Sequence, residues 1–165
     1  MCSAKTYVGI DVGKKGAFAF LNYDGARLEQ MPLIGSRTDK NSRQDLWTIK
    51  ELMKSYDNSV VVIEKPMCSG KQGVASQCKA FNNKGELYGL ITALNIRVLE
   101  VRHSEWQKVM YKGEPKRDDK KVTSAIVAQR LFPDINFRRT ERCKNLDDGY
   151  TDAILMAEYA RRGNL

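Results

Sequence analysis

The chain has 165 residues, with 28 Lys and Arg against 20 Asp and Glu, for a formal net charge of +8. At roughly 100–200 residues per domain that length suits a single domain over residues 1–165, and an apolar fraction of 42% is enough for a core, which excludes general disorder. No apolar stretch approaches the ~20 residues of a membrane helix, and the first residues lack the apolar run of a secretory signal, so neither a membrane span nor secretion is expected.

Tyr7-Val8-Gly9-Ile10-Asp11-Val12 reads as a strand, and Gly13-Lys14-Lys15-Gly16 as a tight turn. Ala17-Phe18-Ala19-Phe20-Leu21 returns as a second strand, and a turn at Tyr23-Asp24-Gly25-Ala26 leads to a third around residues 27–31. Short turns between three strands predict an antiparallel meander. A polar stretch over residues 36–43 then precedes a helix with Leu46, Ile49, Met53 and Tyr56 at helical spacing, and Ser42 with Asp45 resembles a capping box. Val60-Val61-Val62-Ile63 has no alternation, as expected of a strand covered on both faces.

A loop over residues 66–73 precedes a long helix whose Val74, Cys78, Phe81, Gly85, Tyr88, Ile91 and Leu94 are spaced four and three apart. Gly85 and Gly89 are poor helix formers, and they suggest close approach of another helix or of a backbone. Residues 97–101 form a fifth strand, and Ser104 is the expected cap of a short helix carrying Trp106. Residues 111–121 read as a charged loop overlapping a helix over about 118–131, which stops before Pro133; a final helix runs over 148–162. Three meandering strands followed by alternating helices and strands predict an α/β domain with a mixed sheet flanked by helices. Cys2, Cys68, Cys78 and Cys143 show no C-x-x-C spacing, and they read as reduced thiols in an intracellular, reducing compartment. A lone histidine, His103, leaves no multi-histidine metal site.

Acids stand where packing favours apolar residues. Asp11 ends the first strand, and Glu64 ends the 60–63 run. Asp148 and Asp152 align with Leu155 and Tyr159 within about 60° of one another on the last helix, so they continue its core-facing stripe. Taken singly, Asp11 reads as a turn residue, Glu64 as a partner for Lys65, and Asp148 as a complement to the helix dipole. An unpartnered Asp152 on an apolar face is costly. Four converging carboxylates repel and raise one another's pKa. Hard divalent cations, Mg²⁺ or Mn²⁺, resolve that conflict, and two such ions suit phosphodiester displacement. With those four acids set aside, 16 acids face 28 bases. Lys14, Lys15, Lys65, Lys71, Arg138, Arg139, Arg142 and Lys144 flank the acidic positions, as a rim for a nucleic-acid backbone would.

Gly9-Ile10-Asp11-Val12-Gly13, Val62-Ile63-Glu64-Lys65 and Asp148-Gly149-Tyr150-Thr151-Asp152-Ala153 together resemble the RuvC-like Holliday-junction resolvases of the ribonuclease H-like superfamily, in their bacteriophage and organelle branch. Gly70-Lys71-Gln72-Gly73-Val74, Gly85 to Gly89, Trp106, Leu131-Phe132-Pro133 and Ala157-Glu158-Tyr159 extend the resemblance over residues 7–162. It implies a mixed five-stranded sheet with its first three strands antiparallel. It also implies a homodimer that makes paired, symmetric nicks in four-way DNA junctions with two Mg²⁺ or Mn²⁺ ions, leaving 5′-phosphate and 3′-hydroxyl ends. By the same resemblance Asp11 bridges both metals, with Glu64, Asp152 and Asp148 as the other ligands; bacterial members space the last pair by three residues rather than four, and Asp147, five residues before Asp152, is a poorer match than Asp148. Lys65 or Lys71 steadies the scissile phosphate or the transition-state charge. Bacterial members stack an aromatic at the crossover where this chain has Met67. A phage-encoded chain of this kind would act in the host cytoplasm.

Three rivals remain at this point: a less selective structure-specific nuclease or ribonuclease of the same fold, a non-catalytic nucleic-acid-binding domain, and a phosphate-binding ATPase or kinase. Two closing domains are needed by the last, and 165 residues do not supply them.

Overall fold

A computed structural model describes residues 5–68 and 73–165. Its main sheet has five strands in the order β3-β2-β1-β6-β7. β1 (Thr6–Asp11), β2 (Ala17–Asn22) and β3 (Gly25–Gln30) form the antiparallel meander; β6 (Ser59–Glu64) and β7 (Arg97–Val101) add to β1 in parallel. β1 therefore has an antiparallel neighbour on one side and a parallel one on the other. Strand order also switches direction at β1, with β2 and β3 on one side and β6 and β7 on the other, and in open α/β sheets such a switch leaves a crevice beyond the carboxyl ends of the strands.

The parallel register decides which acids meet. Ile10 pairs with Ile63, so Asp11 and Glu64 stand side by side one residue further on. Side chains alternate across a strand. Val8, Ile10, Val61 and Ile63 enter one core layer with Ile49, Met53, Leu87 and Ile91 from α1 (Leu46–Lys54) and α2 (Val74–Ala93). Tyr7, Val60 and Val62 enter the other, with Trp106 of α3 (His103–Met110), Val127 of α4 (Lys120–Leu131) and Ile154 of α5 (Asp148–Arg162). Parity puts Asp11 and Glu64 on the second face, under α3, α4 and α5.

α5 lies against β1 at unusually short range, and Gly9 permits it: a Cβ there would stand 1.9 Å from the Ala153 carbonyl oxygen. Gly149, in the first turn of α5, touches the β1–β2 turn in the same way, its would-be Cβ 2.5 Å from the Lys15 carbonyl oxygen. These two contacts bring the start of α5 to the end of β1.

Local signals differ from expectation in several places. Asp45, not Ser42, caps α1, accepting from the Thr48 amide at 3.1 Å; Ser42 instead bonds to the Asp39 carbonyl. The polar stretch is bracketed by a short ladder of β4 (Leu33–Ile34) with β5 (Arg43–Gln44). Arg102, not Ser104, is the N-cap of α3, with Glu105 reaching back to its amide at 2.9 Å. α4 starts at Lys120 behind the Asp119 cap, so the charged loop takes the first residues expected to be helical. A Cβ at Gly85 or Gly89 would meet no described atom within 4 Å beyond its own stretch of helix, so neither glycine is required by close packing among the described residues.

Gly9→Ala is expected to cost at least about 3 kcal/mol in urea unfolding, because backbone on both sides must move. A loss below about 1 kcal/mol would show that β1 and α5 can separate freely.

Candidate active site

Asp11 and Glu64 end adjacent parallel strands, and α5 adds Asp148 and Asp152 from above. The Asp147 side chain caps the helix, accepting from the Tyr150 amide at 3.3 Å, and also takes Arg139 at 2.5 Å. It is thus held by structure, which separates it from its neighbour Asp148.

Each remaining acid has its own surroundings. Asp11 is partly buried, and no hydrogen-bond donor among the described residues reaches its carboxylate. Burial first, then the charges of Asp152, Glu64, Asp147 and Asp148, push its pKa up to about 8. Glu64 accepts from the indole Nε1 of fully buried Trp106 at 3.3 Å, while Nδ1 of His103 lies 3.0 Å from its other oxygen. That contact with Glu64 raises the His103 pKa. Asp152 accepts from the Ser124 hydroxyl at 2.6 Å. Burial pushes it to about 6, against the lowering effect of the Ser124 bond, with Glu64 and Asp148 adding to the rise and His103 opposing it. Asp148 is exposed and pairs with Lys121 Nζ at 2.6 Å.

As placed, no three His, Cys, Asp or Glu side chains among the described residues form a group that would hold a metal ion. The same acids nonetheless act on Asp11 through space. The two facts agree physically: Glu64, Asp152 and Asp148 each turn to a protein donor, and Asp11 faces their charge without one. The available donors are carboxylate oxygens, which fit a hard divalent cation better than a soft one. A cleft of about 370 Å³ opens beside them, lined by His103, Lys120, Lys121, Ser124 and Asp152 among others.

Basic side chains flagged in the sequence divide by what they touch. Arg139 is turned inward, bonding Asp147 and the Lys15 carbonyl (2.9 Å), which ties the β1–β2 turn to the start of α5. Lys14 reaches the Asp39 carbonyl, and Arg37 reaches the Lys14 carbonyl, so the 36–43 stretch is strapped over that turn. Lys15, Lys65, Arg138, Arg142 and Lys144 are exposed. Met67 is 66% exposed just beyond Glu64. Lys71 lies outside the described residues.

Sequence reasoning passed over Lys121, Ser124, Tyr111 and Gln107, and it gave His103 no part in this site. Ser124 had a signal: with Val127, Ala128 and Leu131 it follows helical spacing, a polar residue on an apolar stripe as Asp152 is. Lys121, in a run of charges, had none.

The raised pKa of Asp11 has a consequence for the metal-free protein. Between about pH 4 and pH 8 the folded chain keeps a proton that the unfolded chain has released, so folding stability falls as pH rises through that window. In chelator, Asp11→Asn is expected to melt above the parent, by a margin that widens from pH 5 to pH 8. A margin independent of pH would mean that Asp11 carries no such penalty.

Comparison with known proteins follows the same geometry. No family model and no curated protein matches the sequence. Among solved structures, Thermus thermophilus RuvC superposes with a TM-score of 0.57 at 14% identity, covering 96% of each chain. RuvC of T. thermophilus in complex with a Holliday junction substrate gives 0.58 at 15% identity, again over 96% of each. The yeast mitochondrial Holliday junction resolvase Ydc2 gives 0.52 at 18% identity, over 97% of this chain and 78% of that one. The chain thus has the fold of RuvC and Ydc2, a RuvC-like form of the ribonuclease H-like α/β architecture.

Proposed function

We propose that this chain is a single nuclease domain that cuts four-way DNA junctions by paired nicks, leaving 5′-phosphate and 3′-hydroxyl ends. The observation that carries this reading is the gathering of Asp11, Glu64, Asp148 and Asp152 at the carboxyl ends of β1 and β6, with Asp11 facing like charge and no donor among the described residues. Such an arrangement is costly to the folded chain unless a cation is present.

Asp11, Glu64, Asp148 and Asp152 would hold Mg²⁺ or Mn²⁺, in all two ions. When bound, such ions lower the pKa of an attacking water and stabilise charge on a phosphodiester. Lys121 balances Asp148 at the rim of the cleft and is placed to meet a phosphate there. Lys65, exposed next to Glu64, is positioned to offset charge as it develops on the scissile group. Lys15, Arg138, Arg142 and Lys144, all exposed, would serve as further backbone contacts, with Lys14 and Lys71 completing the set proposed from sequence. Met67 takes the place at which the crossover would be pried open, as an apolar wedge.

Two symmetric cuts call for two sites, and the proposed assembly is a homodimer. Along α2 only Leu87 and Ile91 are buried. Val74, Cys78, Phe81, Gly85 and Tyr88 form an exposed stripe at spacings of four and three, and Gly85 and Gly89 leave open space for a second helix. Phe81→Glu is expected to turn a dimer into a monomer by sedimentation; an unchanged mass would remove α2 as the interface.

The decisive assay offers a labelled four-way junction beside a linear duplex and an RNA–DNA hybrid, with and without Mg²⁺. Symmetric, Mg²⁺-dependent cutting of the junction alone is the expected result. Cutting of every branched DNA would make the chain a less selective nuclease, cutting of the hybrid a ribonuclease, and binding without cutting a non-catalytic module. Asp148→Asn and Asp152→Asn are each expected to abolish cutting and to leave junction affinity within about twofold of the parent, since neither removes a basic contact. Wild-type nicking by either variant would strike that residue from the centre.

A further inference from the structure

The polar side chains of α3 and α4 that the chemistry above leaves unused form a chain whose protons can be counted. Ser124 is buried on α4, and its hydroxyl lies 2.6 Å from Oδ1 of Asp152. An ionised carboxylate only accepts, so the single Ser124 proton is committed to it. The Tyr111 hydroxyl, at the end of α3, stands 2.5 Å from the same serine oxygen, and with the serine proton spent Tyr111 must be the donor. Tyr111 in turn accepts from the amide Nε2 of buried Gln107, at 3.1 Å and one turn earlier on α3. Protons therefore point one way along Gln107, Tyr111, Ser124 and Asp152, through three helices.

We propose that Gln107, Tyr111 and Ser124 are positioning residues that fix one oxygen of Asp152 so that the other is presented to a divalent cation. The inference rests on the reading of Asp152 as a metal ligand and adds to it the device that aims the ligand. A lone helical serine tends to bond back to the carbonyl four residues earlier, here Lys120. The Tyr111 hydroxyl occupies that neighbourhood, 3.5 Å from the Lys120 oxygen. By donating to Ser124 it also polarises the serine O–H toward Asp152, as linked hydrogen bonds strengthen one another. Trp106 and Tyr111 meet edge to face at 5.9 Å, so the α3 face that bonds Glu64 through Trp106 also holds the tyrosine in place.

The test is Mn²⁺ binding to the full chain without DNA, read by the electron paramagnetic resonance signal of free Mn²⁺, with metal-free melting and junction affinity measured in parallel. Ser124→Ala is expected to weaken Mn²⁺ binding about tenfold, the usual scale for an outer partner of a ligand. Tyr111→Phe, which keeps the ring against Trp106, is expected to give a smaller loss, and the double variant no more than Ser124→Ala alone, because Tyr111 acts through Ser124. Junction affinity without metal stays at the parent value. Parent-like Mn²⁺ affinity in both single variants, with only the melting temperature lowered, would make the chain a tie between helices and overturn the proposal; so would additive losses in the double variant. A parent chain that binds no Mn²⁺ overturns the metal centre and this device together. A parent that binds Mn²⁺ and cuts no junction overturns the nuclease reading alone, and the Ser124 comparison still decides this one.

Discussion

Everything about this site follows from one constraint: carboxylates are brought together by main-chain geometry that gives none of them freedom to leave. Parallel pairing of β1 with β6 sets Asp11 beside Glu64, and a one-residue shift in register would turn one of them to the opposite face. Contact of α5 with β1 over Gly9, and of its first turn with the β1–β2 loop at Gly149, brings the acids of that helix within electrostatic reach. Burial and repulsion then act together on Asp11, whose carboxyl ends near pKa 8. The folded chain carries this unfavourable carboxyl in a place where a hydrophobic residue would be stabilising, which is the usual mark of a functional site.

The surroundings are arranged to limit the damage. Glu64 rests on a buried indole and on His103, Asp152 on a buried serine, and Asp148 on a lysine at the surface. Asp147 and Arg139 form a separate pair that closes the start of α5 onto the Lys15 carbonyl. Cations and acids are thus divided between two tasks, one set holding the frame and the other left available at the cleft. Charge counts along a sequence cannot make that division, because Arg138 and Arg139 look alike in it and only one is turned inward.

Much of the frame was legible from residues 7–31 and 60–64, where short turns and an unbroken apolar run leave few topologies open. The acids were legible for a physical reason, since each interrupts a pattern of burial that its neighbours obey. Caps were harder: Ser42 and Ser104 carry good capping chemistry, yet Asp45 and Arg102 hold those positions, because neighbouring ladder and loop contacts fix where each helix starts. Which side chains would partner the acids was far less legible, although Ser124 stands out as a polar residue on an apolar stripe. His103 comes from α3 and Lys121 and Ser124 from α4, and only the packing of those two helices beside α5 brings them to the acids.

The most direct measurement is anomalous diffraction from crystals of the chain grown with Mn²⁺. The account predicts manganese within coordination distance of Asp11, shared either by Glu64 turned away from its present donors or by Asp152 through the oxygen that Ser124 leaves free. An Asp11 carboxyl left without manganese, with Glu64 still held by Trp106 and His103, would contradict it.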